Sequence, residues 1–565
     1  MKLRSCSLLS MLLLPFVQAQ EPAPSAAPQP SRIARPKLVV LCSIDQLATW
    51  VFDDARPHFA ATGGFRRLLD QGVLFTECAY LHGCTETGPG HATIGTGAPA
   101  SVHGIVKNEW YDRLTKTKMY CASDETALPL EAFPEGKLRG PMRLLVPTVG
   151  DLLKVSDPAS KVVGVAGKDR SAILMAGGAA NSVLWYETGK GRFVTNTRWG
   201  KTAPKWLLDY DQKKATDAFF GWTWERFGPA AAYDGLVDDR AFEAPHLSTG
   251  AHVLPAVLRG GRSDEPNSLF YNEVYVSPVS NMLVLQVALA AILGEQLGQD
   301  EHADLLCISF SANDTIGHYF GPDSVEARDV LLRTDAQLAA LLEALDVAVG
   351  AGRYAFVVTA DHGVALPPEV AKARGLGGGR ALLHTQARAA AESALRQHFG
   401  VEGGEPLVVH AGEYSLVLDR ARIATFAPGA DDTATFETAC SVAAAACSKV
   451  KGIQAGVAAH AVRGQVDDQD PIRRALAYAA HERAGDVMLV PAPYWIEAGL
   501  PASHGTAHPY DLRVPLLAMG PMLRRGHIAD DAVSPGLAAV FAAFWLGIER
   551  PAAAVDLLPE SAMIR

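Results

Sequence analysis

The chain has 565 residues and a formal net charge of −10, a length beyond the size at which one hydrophobic core stops growing, so we expect one large elaborated domain or two fused ones. Hydrophobic residues make up 48% of the chain and charged residues 20%, which excludes bulk disorder. The acidic balance argues against broad nucleic-acid binding, because phosphate backbones need a basic face. We therefore expect no nucleic-acid partner.

The first residues predict export. Residues 1–19 combine a short basic start, an apolar run from Ser7 to Val17 and a small residue at Ala19, the pattern of a secretory signal sequence cleaved after that alanine. Residues 20–36 are rich in Pro and Ala and are typical of a flexible tether. No later stretch reaches the roughly 20 uninterrupted apolar residues of a transmembrane helix. We expect a periplasmic or secreted protein without a transmembrane segment.

The chain then alternates strand-like and helical segments. The runs KLVVLCSID, KVVGVAG, DLLCISFS and YAFVVTADHG each end in polar residues, with helical stretches between them. This alternation predicts an α/β fold, a mostly parallel sheet sandwiched by helices, with ligands beyond the carboxyl ends of the strands. We assign residues 37–545 to this domain, with inserted cap segments near 182–275 and 366–490, and residues 546–565 to a C-terminal tail.

Cysteine usage does not indicate a cysteine metal site. Seven cysteines remain once Cys6 leaves with the signal sequence, and no CxxC pair occurs among them. Local bridges between Cys78 and Cys84, or between Cys440 and Cys447, stay open if the compartment is oxidising.

Residues that commonly bind metals follow one predicted strand after another. They are Asp45, Asp314, His318, Asp361, His362 and His504. Three carboxylates and three imidazoles are an oxygen and nitrogen ligand set suited to zinc. Because the carboxyl ends of parallel strands share one edge of the sheet, these side chains predict a metal centre there, and two ions could share them.

Spacing supports a division of the ligands into two groups. Asp314 and His318 are four residues apart and would share one face of a helix turn, converging on one ion. Asp361 and His362 are neighbours at a strand end and would diverge unless the turn at Gly363 redirects them.

The segment GCTETGPGHATIGTG predicts an anion-binding helix start. Pro89 suits the first turn of a helix, and Thr87 lies at the N-terminus of that helix. Backbone amides there attract a phosphoryl group, and a nearby metal would lower the pKa of the Thr87 hydroxyl. Thr85 is a competing nucleophile by chemistry. Local sequence alone leaves open whether Thr87 reacts or only caps the helix.

Seven motifs occur between about residue 37 and residue 525: SIDQ, TETGPGHAT, KNEWYDR, GKDR, NDTIGH, TADHG and SHGTAHPYD. Taken together and in this order, they resemble the alkaline phosphatase superfamily. They are most similar to its phosphate-irrepressible periplasmic alkaline phosphatases, in the fold group of the type I phosphodiesterases and nucleotide pyrophosphatases.

The resemblance implies a role for each ligand. One Zn²⁺ would be held by Asp45, Asp361 and His362 and would activate the nucleophile Thr87, which also counts among the metal-site residues. A second Zn²⁺ would be held by Asp314, His318 and His504. The phosphoryl group would pass to Thr87, forming a phosphothreonine, and then to water. His91 and His508 would be ordinary hydrogen-bonding histidines outside the ligand set.

Three further residues are implied to select the phosphate ester. Lys168 and Arg170 alternate by two, so from an extended segment they would point the same way. In the monoesterases that the chain resembles, such a Lys-x-Arg pair and an asparagine, here Asn108, contact the non-bridging phosphoryl oxygens, and the related diesterases lack the pair. Lys107 departs from the glycine expected before that asparagine.

These features predict a secreted or periplasmic alkaline phosphatase with two zinc ions that hydrolyses small-molecule phosphate monoesters. The alternatives are a phosphodiesterase, nucleotide pyrophosphatase or sulfatase-like hydrolase on the same scaffold, and a non-catalytic phosphate- or metal-binding protein. Lys168 with Arg170 argues against the diesterase, and Thr87 in place of a cysteine or serine in a CxPxR motif argues against the sulfatase.

Overall fold

The computed structural model describes residues 35–426 and 431–564. The signal sequence expected at residues 1–19, and all but the last two residues of the expected tether, lie outside this range.

Strands supply the framework of the molecule. In chain order they are β1 (Leu38–Ile44), β2 (Val73–Phe75), β3 (Glu109–Asp112), β4 (Thr117–Tyr120), β5 (Val162–Ala166), β6 (Ser182–Glu187), β7 (Arg192–Val194), β8 (Thr223–Trp224), β9 (Ala256–Val257), β10 (Asp304–Phe310), β11 (Tyr354–Thr359), β12 (Gly379–Ala381), β13 (Val408–Gly412), β14 (Ser415–Leu418), β15 (Ile453–Ala458), β16 (Val487–Pro491), β17 (Trp495–Glu497), β18 (Leu516–Met519) and β19 (His527–Ala529).

Helices cover the strands. They are α1 (Thr49–Ala55), α2 (Gly64–Gln71), α3 (Thr87–Thr96), α4 (Ala100–His103), α5 (Val149–Ser156), α6 (Asp169–Ala176), α7 (Lys205–Asp211), α8 (Ser268–Tyr275), α9 (Val279–Gly294), α10 (Ala312–Phe320), α11 (Val325–Leu345), α12 (Pro368–Ala373), α13 (Leu383–Phe399), α14 (Arg420–Ala424), α15 (Asp432–Cys447), α16 (Pro471–Ala479), α17 (Pro509–Leu512) and α18 (Leu537–Leu546).

A nine-stranded sheet forms the centre, in the order β19-β2-β18-β11-β1-β10-β5-β6-β7. Strand β1 lies between β11 and β10 and is parallel to both, and β5 and β6 continue the parallel part. Antiparallel pairing is confined to β18, which pairs with β11 and β2, and to the edge strand β7. Every residue of β1 is buried, as expected for an apolar strand with helices on both faces. The predicted α/β fold with a mostly parallel sheet is confirmed.

The segment expected as an insertion near 366–490 builds a second sheet. Its four strands pair in the order β13-β14-β16-β15, all antiparallel. Helices α13 and α15 pack on it, and Leu395, Leu416 and Ala443 belong to a buried cluster distinct from the main core. This part of the chain therefore has an apolar core of its own.

The other expected insertion and the tail are joined to the main body. The segment from residue 182 begins with β6 and β7, which belong to the central sheet, and Trp185 and Trp224 lie in the main core. Beyond α18, Ala554 and Ala562 are buried in that same core.

No single helix among the described residues has both the length and the apolarity needed to cross a bilayer. Helices α8 and α9 would reach them only together, and these two meet at an angle of 86°.

The seven cysteines that the structure describes are all free and buried, so neither local bridge left open by the sequence is present. Cys440 and Cys447 both lie on α15. At 1.5 Å per residue, seven residues separate them by roughly 10 Å along the helix, more than the usual 4.4–6.8 Å or so between bridged Cα atoms.

Candidate active site

The predicted metal ligands meet at the carboxyl ends of the central parallel strands. Asp45 follows β1, Asp361 and His362 follow β11, and α10, directly after β10, carries Asp314. Strands β11, β1 and β10 are adjacent and parallel, so their ends open on the same edge. His504 reaches this edge from the loop before α17.

Three side chains form a first ligand group. Donor atoms of Asp314, His318 and His504 lie within 4.8 Å of one another. The two imidazole Nε2 atoms are 3.2 Å apart, and His318 Nε2 is 3.2 Å from Asp314 Oδ1. Each ring Nδ1 is hydrogen-bonded to a backbone carbonyl, that of Ala502 at 2.8 Å and that of Thr85 at 2.7 Å. This leaves both Nε2 atoms facing the same point, because a hydrogen bond from Nδ1 to a carbonyl orients the ring of a metal-binding histidine.

A second ligand group adjoins the first. Donor atoms of Asp45, Asp314 and His362 lie within 4.8 Å of one another. His362 Nε2 is 3.5 Å from Asp45 Oδ1 and 3.5 Å from Asp361 Oδ2. The resemblance predicted Asp314 for one ion only, whereas the structure places this carboxylate in both groups.

The donor set fits divalent metal ions. Asp45 Oδ1, Asp361 Oδ2 and His362 Nε2 are buried and have no hydrogen-bond partner among the described residues. A buried carboxylate without a partner is costly, and a bound cation removes that cost. Aspartate and histidine are the ligands that zinc commonly takes in proteins. The residues present therefore fit a site for divalent metal.

Burial and charge shift the pKa values of these groups. Burial and the neighbouring Asp361 carboxylate raise the pKa of Asp45. Burial opposes ionisation of Asp314 as well, but the Lys168 ammonium and His318 hold its pKa well below the usual range. Burial lowers the pKa of His362, and His504 lowers it further, so that His362 is a neutral imidazole, the form that binds metal.

Thr87 is the hydroxyl that faces the cations. It is the first residue of α3, and its Oγ1 accepts from Lys168 Nζ at 3.2 Å and from Arg170 Nη2 at 3.4 Å. Two cationic donors stabilise an ionised oxygen, which activates a hydroxyl as a nucleophile. The competing hydroxyl of Thr85 instead donates to the carbonyl of Thr506 at 3.1 Å.

Lys168 and Arg170 lie beside Thr87, but not in the extended segment that the sequence predicted. Lys168 is the N-cap of α6 and Arg170 lies in the first turn of that helix. The cap residue keeps an extended backbone, so its side chain leaves the helix start in a direction that still converges with Arg170 on Thr87. Lys168 Nζ also contacts Asp45 Oδ2 at 2.6 Å and Asp314 Oδ2 at 2.5 Å.

Asn108 is held beside the start of α3. Its Oδ1 accepts from the backbone N–H of Gly88 at 2.7 Å, and the backbone N–H of Asn108 donates to Glu86 Oε2 at 2.7 Å. With Oδ1 engaged, the Nδ2 amide remains as the donor. The unexpected Lys107 is accommodated because its ammonium reaches the backbone oxygen of Glu413.

Two residues that support the site were missed from sequence. Gln46 donates from Nε2 to Asp314 Oδ1 at 2.6 Å and from its backbone N–H to Asp361 Oδ1 at 3.1 Å. Its φ of 66° is unusual for a residue other than glycine. Only its place directly after Asp45 in SIDQ could have pointed to it.

Asp169 is the second. It accepts from the Tyr120 hydroxyl at 2.5 Å and from Arg139 Nε at 2.7 Å, and these bonds fix the first turn of α6 beside Arg170. A single acidic residue between two cations carries no signal of such a network.

The two histidines expected outside the ligand set are hydrogen-bonded. His91 bonds to the Thr87 carbonyl and to Ser309 Oγ, both at 2.8 Å. His508 bonds to the Pro491 carbonyl at 2.8 Å.

The sequence of this chain is similar to a known protein family and to two alkaline phosphatases. The family model of type I phosphodiesterase / nucleotide pyrophosphatase matches residues 39–511. Alkaline phosphatase PhoV of Synechococcus elongatus is 28% identical over 97% of this chain and 97% of its own. Alkaline phosphatase PafA of Elizabethkingia meningoseptica is 29% identical over 90% of this chain and 92% of its own.

The crystal structure of PafA superimposes with a TM-score of 0.84 at 27% identity, covering 94% of this chain and all of PafA. A PafA variant substituted at a threonine, an asparagine, a lysine and an arginine superimposes equally well, with a TM-score of 0.84. The match over most of the chain, together with the shared fold, shows that the chain belongs to the type I phosphodiesterase and nucleotide pyrophosphatase family, within the alkaline phosphatase superfamily.

Proposed function

We propose that the chain is an exported alkaline phosphatase that hydrolyses small-molecule phosphate monoesters, with Thr87 as the nucleophile. The observation that carries this proposal is the position of Thr87 Oγ1, which accepts from Lys168 and Arg170 at the start of a helix. The names of the relatives PhoV and PafA support the same activity. The signal-like residues 1–19 support export to the periplasm or the medium.

The cofactors proposed are two Zn²⁺ per chain. Asp45, Asp361 and His362 would hold one beside Thr87, and the second would be held by Asp314, His318 and His504. When bound, zinc supplies Lewis-acid stabilisation of negative charge at oxygen. The buried donor atoms without partners on Asp45, Asp361 and His362 support this assignment.

The proposed reaction consists of two successive displacements at phosphorus, and residues of this chain take part in both. Thr87 Oγ1 gives up its proton and attacks phosphorus, so that the Oγ1–P bond forms and the bond from phosphorus to the ester oxygen breaks, and the alcohol leaves after taking up one proton. Water then gives up a proton and attacks the phosphothreonine, the Oγ1–P bond breaks, Thr87 takes up a proton again and inorganic phosphate leaves. The backbone amides at the start of α3 and the cations of Lys168 and Arg170 face the phosphoryl oxygens throughout.

The same donors favour a monoester over a diester. A monoester has three non-bridging oxygens and a charge near −2 at neutral pH, while a diester replaces one of those oxygens with an alkoxy group. Lys168, Arg170 and the Nδ2 of Asn108 supply charge-assisted and neutral hydrogen bonds to the additional oxygen. Residues of these types are among those substituted in the PafA variant. A phosphodiesterase would gain less from them.

The test compares the double variant Lys168→Ala with Arg170→Ala against the wild type on a phenyl monoester and a matched diester. We expect monoester kcat/KM to fall by at least about a hundredfold, or about 3 kcal/mol, and diester hydrolysis to fall much less. Lys213→Ala with Arg262→Ala removes the same charges from two exposed positions and should change neither rate. A wild type that prefers the diester, or equal losses on both esters, would contradict the proposal.

A further inference from the structure

A cavity of about 290 Å³ lies beside the start of α3, between two β-hairpins. One wall is the hairpin of β3 and β4, and the facing wall is the hairpin of β13 and β14 from the four-stranded sheet. Glu86 and Asn108 also line it. We call this space the hairpin cavity.

The hairpin cavity borders the proposed site of phosphoryl transfer. Its lining residue Glu86 directly precedes Thr87, and the Oδ1 of Asn108 accepts from the N–H of Gly88. On the facing wall, Glu413 accepts from Ser503 Oγ at 3.3 Å, next to His504. A phosphoryl group at Thr87 would therefore have its ester oxygen within reach of this space.

The charged side chains that line the hairpin cavity have no net charge. Three side chains are cationic and three are carboxylates: Lys107, Lys118, Arg483, Glu86, Glu109 and Glu413. An anionic or cationic ligand would meet as many repulsive charges as attractive ones. Hydroxyl groups both donate and accept hydrogen bonds, so this lining matches an uncharged ligand with several hydroxyls.

Three polar groups at the walls are free to bind such a ligand. Tyr111 and Lys118 are directly paired across β3 and β4, and the His410 ring stacks on Tyr111 with centroids 5.4 Å apart and an interplanar angle of 15°. The side-chain polar atoms of these three residues make no hydrogen bond to the described residues, and the nearest carboxylate oxygen to the Lys118 ammonium is that of Glu109, at 3.9 Å. Burial, together with Lys118 and Lys107, lowers the pKa of His410, so the ring is neutral and offers one donor and one acceptor.

We propose that the hairpin cavity binds the alcohol part of the substrate and that this part is a neutral, polyhydroxylated group of monosaccharide size, so that sugar monophosphates are the preferred esters. The inference rests on the proposed phosphatase activity. The volume of the hairpin cavity, about 290 Å³, is just below the roughly 300–1,000 Å³ of small-molecule pockets, which suits a ligand of monosaccharide size. The Tyr111–His410 pair provides an apolar surface for a sugar ring.

The experiment measures kcat/KM for glucose 6-phosphate and for methyl phosphate with the metal-loaded full chain. We expect the wild type to favour glucose 6-phosphate by at least about tenfold. In the double variant Lys118→Ala with His410→Ala this ratio should fall close to one, mainly through KM for the sugar ester. Inorganic phosphate carries no alcohol, so its inhibition constant should stay the same and show that the catalytic site is intact.

Lys116→Ala is the matched control, because it removes a lysine from the same hairpin at an exposed position outside the cavity, and it should retain the wild-type ratio. Equal kcat/KM for both esters in the wild type, or a double variant with an unchanged ratio, overturns the cavity assignment and leaves the phosphatase standing. A clear preference for adenosine 5′-monophosphate over the sugar ester overturns it in favour of a base pocket. Absence of hydrolysis of every monoester overturns the proposed function itself.

Discussion

Lys168 contacts both the proposed nucleophile and the two ligand groups. Its Nζ lies 3.2 Å from Thr87 Oγ1, 2.6 Å from Asp45 and 2.5 Å from Asp314. Burial opposes the charge of Lys168, and the two carboxylates raise its pKa above the usual range. Lys168 therefore brings one buried ammonium to the proposed nucleophile and to a carboxylate of each ligand group.

Substitution of the proposed nucleophile separates chemistry from metal binding. We expect Thr87→Ala to lower kcat by at least about a thousandfold, because the attacking oxygen is lost. Zinc content should be largely unchanged, since the aspartates and histidines remain. Thr87→Ser restores a hydroxyl and should retain substantial activity. Phosphate trapped on Thr85, or near-normal turnover in Thr87→Ala, would show that another hydroxyl reacts.

Glu243 provides a pH prediction away from the metal ligands. The side chain is buried, its Oε1 has no hydrogen-bond partner among the described residues, and the nearest cation, Arg240 Nε, is 3.9 Å away. Burial, with the Glu326 carboxylate nearby, raises the pKa of Glu243 from 4.5 to about 7. The folded chain thus keeps a proton that the unfolded chain loses above pH 4.5. The free energy of unfolding therefore falls as pH rises from about 4.5 to 7 through this group, and does not fall further above that range.

The variant Glu243→Gln removes this titration. Its thermal unfolding midpoint, relative to that of the wild type, should be higher at pH 8 than at pH 5, because only at pH 8 does the wild type bury an ionised carboxylate beside Glu326. The exposed Glu265→Gln should show no such pH dependence. A Glu243→Gln offset that is the same at both pH values would show that the group does not titrate in this range.

At the scale of elements, α3, the helix that carries the proposed nucleophile, is placed by a close contact with the end of β11. Gly90 on α3 lies against the backbone of Asp361, and a Cβ there would overlap its carbonyl oxygen. We expect Gly90→Ala to push α3 away from the ligand strand, lowering both zinc content and kcat/KM by at least about tenfold. Gly189→Ala, whose added Cβ meets only ordinary van der Waals contact, is the control. Wild-type activity in Gly90→Ala would mean that the helix position is not critical.

Elements whose residues follow the regular spacing of a helix or a strand were predictable from sequence. Asp314 and His318 share a helix face because four residues are close to one helical turn, and the ends of β1, β10 and β11 meet because parallel strands align. The start of α6 was not predictable, because Lys168 adopts the extended conformation of an N-cap while Arg170 is already helical. Gln46 and Asp169 act through partners distant in sequence, and no local pattern reports such contacts.

At the scale of the whole molecule, metal ions should contribute to folding stability. Asp45, Asp314 and Asp361 lie buried in one site, and their mutual repulsion destabilises the folded chain unless cations are bound. Ligands that bind only the folded state raise its stability. We expect a chelator to abolish monoesterase activity and lower the thermal midpoint by several degrees, and added Zn²⁺ to restore both. An unchanged midpoint and full activity in metal-free protein would contradict the two-zinc proposal.

The separate apolar core of the four-stranded sheet has an evolutionary consequence. The candidate metal ligands and Thr87 come from other elements, whereas His410 and Glu413 sit on a hairpin whose folding rests on that separate core. Mutations at this hairpin can accumulate without loss of the reaction centre, so selection can retune which alcohols are accepted while the chemistry is preserved. An exchange of residues 408–418 between relatives should accordingly transfer substrate preference and leave the turnover of small esters in place.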